Sequence, residues 1–318
     1  MEDKMSFMGN LLRSLFAVAF LSAVTFSANA AENYKPFILA TAGNGDFHTQ
    51  VEKVQAALTQ AGFKIVGTYN PDLSTFHPYQ AATIFIVTNP TLLADAAKTP
   101  RGGYGAVMRV AVTQTNDQVQ VAYVNPVYVQ YAYRMKADLA PVKAELAKAL
   151  GDQQSFGAKG LTADALEHYH YTFGMEYFNE PYQLNSFGSH AQAVAKVKSL
   201  LTKGVNGLHY LYELNIPGTD QTVIGVAMDD KDNKNVNDAY QMSVVDFHKL
   251  KGTAYLPYQI LVKGSNVEAL NMRFRMAVFF PDLSMMGDHS FMTLMSAPAA
   301  LHRALAKATG TTYSEPLF

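Results

Sequence analysis

The fold is decided by residues 51–126, in which a helix-forming stretch is followed by several strand-forming runs. The stretch opens with VEKVQAALTQAGF (51–63), where apolar residues recur at helical spacing and Gly62 stands where a left-handed cap ends a helix. It continues with ATIFIVTNP (82–90) and closes with AVMRVAVTQTNDQVQVAYVNP (106–126), in which two runs are separated by Asn-Asp turn residues. These patterns predict a helix followed by strands at Lys64–Tyr69, Ala82–Thr88, Ala106–Thr113 and Gln118–Val124.

The same pattern recurs in the second part of the chain. Short matches follow one another in the same order in both parts, which predicts a duplication into two domains of one topology related by a pseudo-twofold axis. The matching pairs are Val51–Ala61 with Val194–Gly204, Met108–Val112 with Tyr258–Val262, Pro126 with Pro281, and the helix endings Glu145–Gly151 with Arg303–Gly310.

Alternation of apolar and polar residues predicts antiparallel sheets. QVQVAYV (118–124) and NMRFRMAV (271–278) both alternate, as strands do when only one face of a sheet is buried. We therefore expect an α+β fold with two tandem domains, each an antiparallel sheet with helices packed on one face.

Residues 1–30 have the features of a cleavable secretory signal. Lys4 and Arg13 precede the apolar run Leu15–Val24, and Ala28-Asn29-Ala30 supplies a small-residue cleavage site. A membrane anchor is the alternative, but this run is about half as long as the roughly 20 residues that a bilayer-spanning helix needs. The sequence predicts a mature periplasmic protein, cleaved after Ala30, with no membrane span.

The rest of the chain divides into two predicted domains, residues 31–151 and residues 168–318. Residues 152–167 are polar at first and then form a short helical turn, and they are predicted to be a linker. His168–Phe178 (HYHYTFGMEYF) has aromatic residues at almost every other position and is predicted to open the second domain as a strand. The polar insertion DDKDNKNVND (229–238) is predicted to form an exposed loop.

Composition excludes several functions. The 318 residues contain no cysteine, so thiol catalysis, c-type haem attachment and cysteine-ligated zinc or iron–sulfur sites are not possible. The formal charge is -1 and no basic stripe is visible, so we expect no nucleic-acid partner.

Part of the chain resembles the family called domain of unknown function 302. The resemblance is carried by Ala61-Gly62-Phe63, Thr88-Asn89-Pro90 and Val124-Asn125-Pro126, and more weakly in the second part by Leu256-Pro257-Tyr258 and Pro281-Asp282. It implies TATA-binding-protein-like domains, and it implies no function, because none is established for the family. Relatives often carry cysteines where this chain has Thr88, Met108 and Tyr258, so a thiol role cannot operate here.

One candidate ligand site lies at an end of the first predicted sheet. Asn89, Asn125, Arg109 and Tyr123 come from strand ends that we expect to meet there, and they could hold a polar group of a ligand. The alternative is that the two Asn-Pro pairs are ordinary turn chemistry.

Two candidate metal sites follow from residue types. Thioether and imidazole ligands suit Cu(I), and the segment 285–295 supplies Met285, Met286, His289, Met292 and Met295, although methionines also fill cores. On a strand, His168 and His170 would face the same way and could share a divalent ion, given a third ligand such as Glu176 or His190.

The sequence leaves two classes of function open. Phosphate-loop, Gly-x-Ser-x-Gly and His-Glu-x-x-His motifs are absent, and the chain is rich in aromatic residues, with 18 Tyr and 19 Phe. This favours an exported binding or accessory protein that takes a small or apolar ligand, or a periplasmic protein partner, in a groove between its domains. The alternatives are an enzyme with a His and carboxylate site that has no known motif, and a Cu(I)-binding protein.

Overall fold

The computed structural model describes residues 32–311, which belong to one compact unit. The predicted signal peptide, residues 1–30, lies outside the described residues. We call residues 32–156 the first half and residues 182–311 the second half. The elements of the first half are β1 (Phe37–Gly43), α1 (Phe47–Gln60), β2 (Lys64–Tyr69), β3 (Ala81–Thr88), α2 (Pro90–Ala97), β4 (Met108–Gln114), β5 (Val119–Val124), α3 (Pro126–Ala132), α4 (Ala140–Leu150) and β6 (Gln154–Phe156).

The second half follows after one short connecting helix, α5 (Ala163–Glu167). None of the helices within residues 32–311 combines the length and the apolar character needed to cross a bilayer. The elements of the second half are β7 (Tyr182–Ser186), α6 (His190–Lys203), β8 (Leu208–Ile216), β9 (Gln221–Met228), α7 (Asp238–Val245), β10 (Tyr258–Lys263), β11 (Asn266–Ala269), α8 (Met272–Phe279) and α9 (Ala297–Ala308).

The two halves have the same topology. The first sheet has the order β2-β3-β4-β5-β1-β6 and the second has the order β8-β9-β10-β11-β7, with antiparallel pairing throughout. Apart from β6, each strand has an equivalent at the same place in the other sheet. The predicted α+β fold is confirmed. The duplication that would explain this equivalence stays a prediction.

Equivalent helices start and end by the same local chemistry. Asp46 caps α1 by accepting a hydrogen bond from the backbone N–H of Thr49 at 2.7 Å, and Ser189 caps α6 in the same way. After α1 the chain turns at Gly62 with φ at 85°, and α6 ends at Gly204 with φ at 71°. These positive φ angles favour glycine because a Cβ atom would clash with the backbone.

Each sheet is covered by its own helices on one face and by the other half on the opposite face. Helices α1 and α4 pack on the first sheet, and α6 and α9 pack on the second. The 3₁₀ turn Gly102–Gly105 of the first half lies on β9 and β10, and the 3₁₀ turn Thr253–Tyr255 of the second half lies on β3, β4 and β5. The halves therefore cover each other reciprocally.

The reciprocal packing brings Gly103 close to the opposite sheet. A Cβ atom on Gly103 would stand 2.5 Å from the Cδ1 atom of Leu261 in β10. The backbone N–H of Gly103 also donates a hydrogen bond to Oε1 of Gln221 at 3.2 Å. A side chain at this position would therefore require the side chain of Leu261 to move.

Two predicted strands were wrong. The segment 168–178 forms turns because Gly174 has φ at 78° and Phe173 points into solvent with 99% of its surface exposed. The opening strand of the second half is β7. NMRFRMAV contributes α8, because the side chain of Asn271 accepts from the backbone N–H of Arg273 and caps a helix there. The helix is buried on nearly all sides, so its apolar residues are not confined to one face, and their spacing in the sequence resembles the alternation of a strand.

Two further expectations need correction. The counterpart of α3 is α8. Asn125 caps α3 and Asn271 caps α8, so Asn271 corresponds to Asn125. Pro281 therefore does not correspond to Pro126. The predicted linker, residues 152–167, contains β6, which pairs with β1, as well as the expected helical turn α5. Within the polar insertion 229–238, Lys231 and Asp232 are exposed as predicted, whereas Asp238 is fully buried.

Two buried tyrosine–aspartate pairs join the halves. The hydroxyl of Tyr69 donates to Asp238 Oδ2 at 2.7 Å, and the hydroxyl of Tyr79 donates to Asp246 Oδ2 at 2.5 Å. Burial raises the pKa of Asp238 to about 7 and that of Asp246 to about 6, although hydrogen bonds from the tyrosines and from backbone N–H groups oppose the shift. Both carboxyls thus lie between the halves at sites that disfavour their ionised form.

These pairs predict a pH-dependent stability. Below about pH 4 both carboxyls are protonated in the folded and the unfolded chain. As the pH rises, the unfolded chain releases these protons first, so the contribution of the two groups to the free energy of unfolding is lost between about pH 4 and pH 7. Replacing Asp238 by Asn should flatten this part of the pH dependence, measured by urea denaturation at about pH 4.5, 6 and 8.

Asp117→Asn is the matched control, because Asp117 is exposed on a turn of the first half. It should leave the slope of stability against pH as in the unaltered protein. An Asp238→Asn variant whose slope equals that of the unaltered protein would contradict the assignment.

Candidate functional site

The two asparagines predicted to bind a ligand are helix caps. Asn89 accepts from the backbone N–H of Leu92 at 2.9 Å and caps α2, while its Nδ2 atom donates to Glu145 Oε2 at 2.7 Å. Asn125 accepts from the N–H of Val127 and caps α3, and its Nδ2 atom donates to a backbone carbonyl. Both side chains are nearly buried and use both ends of their amides within the fold.

Arg109 and Tyr123 lie at the same end of the sheet but on opposite faces. Tyr123 pairs with Val110 in the β4–β5 ladder, so the neighbouring Arg109 points the other way. The hydroxyl of Tyr123 donates to the carbonyl of Gly151 at 3.2 Å, on the helix-covered face, whereas Nε of Arg109 donates to the carbonyl of Ala254 in the second half at 2.8 Å. The four residues therefore do not form one site around a ligand.

The predicted two-histidine metal site is not formed. Nδ1 of His168 lies 3.4 Å from Oδ1 of Asp164 in α5, and the ring of His170 packs on that of Tyr177 with centroids 4.5 Å apart. The proposed third ligands are engaged elsewhere, Glu176 with Arg273 and His190 with Thr222. Within residues 32–311, no group of three or more His, Cys, Asp or Glu side chains is placed to hold a metal ion.

The methionines of the predicted copper cluster do converge. Met285, Met292 and Met295 line a groove of about 330 Å³ in the second half. We call it the methionine groove. Its lining includes three more methionines from outside the segment 285–295. It is completed by Phe291, Leu294, Pro298, Ala299 and Arg273, and its six methionines are Met175, Met272, Met276, Met285, Met292 and Met295.

The groove has one fixed wall and one exposed wall. Met272 and Met276 stand one turn apart on α8 and are buried, with 1% and 2% of their surfaces exposed. Met285, Met292 and Met295 on the opposite wall are 44%, 49% and 67% exposed. Three large apolar side chains thus face solvent in one place.

Two members of the predicted cluster lie outside this groove. Met286 is 79% exposed and is not part of the lining. His289 turns towards α7, where its Nδ1 atom lies 3.0 Å from the carbonyl oxygen of Val244 and its ring stacks on Phe247. The sequence could not reveal Met175, Met272 and Met276 as partners, because Met175 is distant in the chain and the other two lie in a stretch predicted to be a strand.

Grooves also occur between the two halves. One of about 630 Å³ has a floor of three phenylalanines, Phe37, Phe156 and Phe280, and a rim with the lysines Lys35, Lys159 and Lys249. The phenylalanines are each less than 10% exposed, so they present little of their rings to this inter-half groove.

A His–carboxylate pair exists, but not in a groove. Nε2 of His209 lies 2.8 Å from Oδ1 of Asp229, and both side chains are partly exposed. Neither residue lines the methionine groove or the inter-half groove. This arrangement gives no support to the predicted alternative of an enzyme with a His and carboxylate site.

The fold class of the protein is α+β, with antiparallel sheets that carry helices on one face. Residues 39–152 match the family model for the domain of unknown function DUF302. A solved structure, that of an uncharacterized conserved DUF302 protein from Bacillus stearothermophilus, is similar at 17% identity with a TM-score of 0.31, covering 36% of this chain and 94% of that one. No curated protein matches the chain.

The cap assignments lead to a prediction. Asn89→Ala and Asn125→Ala should each lower the free energy of unfolding by about 1–2 kcal/mol, because each removes a cap and leaves the backbone N–H that it binds without its partner. Thermal unfolding measures the loss. A variant that keeps full stability would contradict the capping role of its asparagine.

Proposed function

We propose that this chain is an exported binding protein that holds an apolar ligand in the methionine groove and performs no chemistry on it. The observation that carries the proposal is the convergence of six methionines on one groove, three of them exposed. A soluble protein gains nothing in stability from apolar side chains kept in water, and a contiguous apolar patch marks a site of interaction.

The size and chemistry of the groove support a small ligand. Its volume of about 330 Å³ is at the lower end of the range for small-molecule sites. Methionine is unbranched and polarisable, so the exposed wall can adapt to different apolar shapes while the wall on α8 stays fixed.

The rim carries one charged pair. Nη2 of Arg273, which belongs to the lining, lies 2.9 Å from Oε1 of Glu176. Because this charge is already paired, the groove offers a ligand mainly apolar contacts. This favours a neutral or weakly polar occupant over an anionic one.

Binding of Cu(I) is the second candidate function, and the same convergence favours it. Thioethers are soft ligands that suit Cu(I), and the groove provides six of them in a chain without cysteine. His289 is not among the lining residues, so the ligand set would consist of thioethers. Replacing His289 by Ala should then leave Cu(I) affinity unchanged.

Export is part of the proposal and is supported by the composition of residues 1–30. In a Gram-negative host, the protein recovered from the periplasm should begin at Ala31, as determined by its intact mass. Recovery of the full-length chain from the cytoplasm alone would contradict export.

A fluorescence titration with N-phenyl-1-naphthylamine tests the apolar site. The unaltered protein should bind the probe, and the double variant Met292→Gln, Met295→Gln should bind it at least about tenfold more weakly, because each change costs roughly 1 kcal/mol of apolar contact. Met286→Gln is the matched control, since Met286 lies in the same segment, is exposed and is outside the groove. Equal affinity in all three proteins would refute the site.

A second set of variants separates the two candidates. Changing Met285, Met292 and Met295 together to Leu conserves apolar volume but removes three thioethers. For an apolar-ligand site, probe binding should persist and competition with a chromophoric chelator should show no protein-bound Cu(I) before or after the change. For a copper site, the unaltered protein should take up Cu(I) stoichiometrically and the triple variant should lose it.

A further inference from the structure

A second unusual site lies inside the molecule, where polar side chains from both halves meet. We call it the arginine–tyrosine cluster. Each of its residues is at most 2% exposed, and its members are Arg109, Tyr104 and Tyr133 from the first half and Tyr255, Gln259 and Arg275 from the second half.

Both guanidinium groups are held in place by the fold. Nε of Arg109 donates to the carbonyl of Ala254, and Nη2 of Arg275 donates to the carbonyls of Pro257, at 2.7 Å, and Tyr255. The Cζ atom of Arg275 lies 3.9 Å from the ring centre of Tyr255. These contacts fix the orientation of both arginines but use only part of their donors.

Many polar atoms of the cluster have no partner. Of eleven buried side-chain atoms without a hydrogen bond within the described residues, seven belong to this cluster. Natural proteins pair the large majority of such atoms. Tyr104 packs on Tyr133, Arg275 packs on Tyr255, and Phe279 contacts Tyr133, Tyr255 and Arg109, so the unpartnered atoms belong to neighbouring side chains, which indicates a shared partner. The seven are Nη2 of Arg109, Nε and Nη1 of Arg275, the hydroxyls of Tyr104, Tyr133 and Tyr255, and Oε1 of Gln259.

The two guanidinium groups of the cluster also have no ion-pair partner within the described residues. Among residues 32–311, no ion pair within 4.0 Å involves Arg109 or Arg275. Burial lowers the pKa of Arg109, and the neighbouring positive charge of Arg275 adds to this effect. Because arginine stays protonated in proteins, two buried positive charges need a negative partner.

The donors outnumber the acceptors. Of the seven unpartnered atoms, three guanidinium nitrogens and three hydroxyls can donate a hydrogen bond, whereas one amide oxygen can accept. The missing partner must therefore accept several hydrogen bonds. Asp238 acts on Arg275 through its charge, but it forms no ion pair within 4.0 Å with it, and its Oδ2 atom accepts hydrogen bonds from Tyr69 and the backbone N–H of Met228. A partner that accepts bonds and carries negative charge fits both requirements.

We propose that the arginine–tyrosine cluster binds a small inorganic anion of halide size at the junction of the two halves. The near-complete burial of every member limits the size, since a larger anion would have to separate the halves. Arg109 belongs to the first half and Arg275 to the second, so a bound anion attracts both and stabilises their contact. The site is independent of the methionine groove.

The experiment compares thermal unfolding in bromide with unfolding in gluconate at equal ionic strength. Gluconate is too large to enter. If bromide binds only the folded chain, the unfolding temperature rises with bromide concentration as expected for ligand linkage. Crystals grown in bromide should show an anomalous-scattering peak within hydrogen-bonding distance of Nη2 of Arg109.

Tyr133→Phe removes one unpartnered hydroxyl and keeps the ring. It should weaken the apparent bromide affinity at least about tenfold, as expected for the loss of a hydrogen bond to a charged partner. Tyr123→Phe is the matched control, because its hydroxyl is bonded to Gly151 outside the cluster, and it should leave the bromide dependence unchanged.

The proposal is overturned by either of two results. One is the same unfolding temperature in bromide and in gluconate over the whole concentration range. The other is a crystal in which the cluster holds ordered water alone, with no anomalous signal.

Discussion

The mutual covering of the two sheets is the constraint on which the rest of the structure depends. Each sheet has helices on one face only, and its second face would be exposed without the other half. The 3₁₀ turns at Gly102–Gly105 and Thr253–Tyr255 close these faces reciprocally. Burying a polar group without a partner is costly, so polar residues at the junction require a partner across it or a bound one, as proposed for the arginine–tyrosine cluster. Tyr69 with Asp238 and Tyr79 with Asp246 meet this requirement.

Helix α8 links this junction to the candidate ligand site. Phe279 packs on Tyr128 and Tyr133 of the first half, and the hydroxyl of Tyr128 donates to the carbonyl of Val278. Met272 and Met276 point from another side into the methionine groove. The wall of the groove is therefore built on an element that the packing of the halves holds in place, and the exposed methionines opposite it are free to adapt.

Much of the fold could be predicted from the sequence because it follows from local patterns. Helical spacing located α1 and α6, and the turn residues at 115–117 located the β4–β5 hairpin. Predictions from local patterns failed where a segment with the alternating pattern of a strand forms turns or a helix instead. The aromatic run 168–178 alternates like a strand, but its rings pack on different neighbours, and Asn271 begins a helix in a stretch that also alternates.

The sites were harder to predict because their members are distant in the chain. Asn89 and Asn125 are each followed by proline, and an Asn-Pro pair is found both in turns and at the start of a capped helix. In this protein both pairs start helices. The local methionine run pointed to the groove but included His289, which the fold turns away. The partners of Asp238 and Arg109 lie more than 140 residues away, and no local signal could identify them.

The central claim, that the methionine groove is the ligand site, is tested most directly by nuclear magnetic resonance of protein labelled with ¹³C at the methionine methyl groups. Titration with N-phenyl-1-naphthylamine should shift the signals of Met272, Met276, Met292 and Met295 and leave that of Met286 in place. Shifts spread evenly over all methionines, or a largest shift at Met286, would contradict the account.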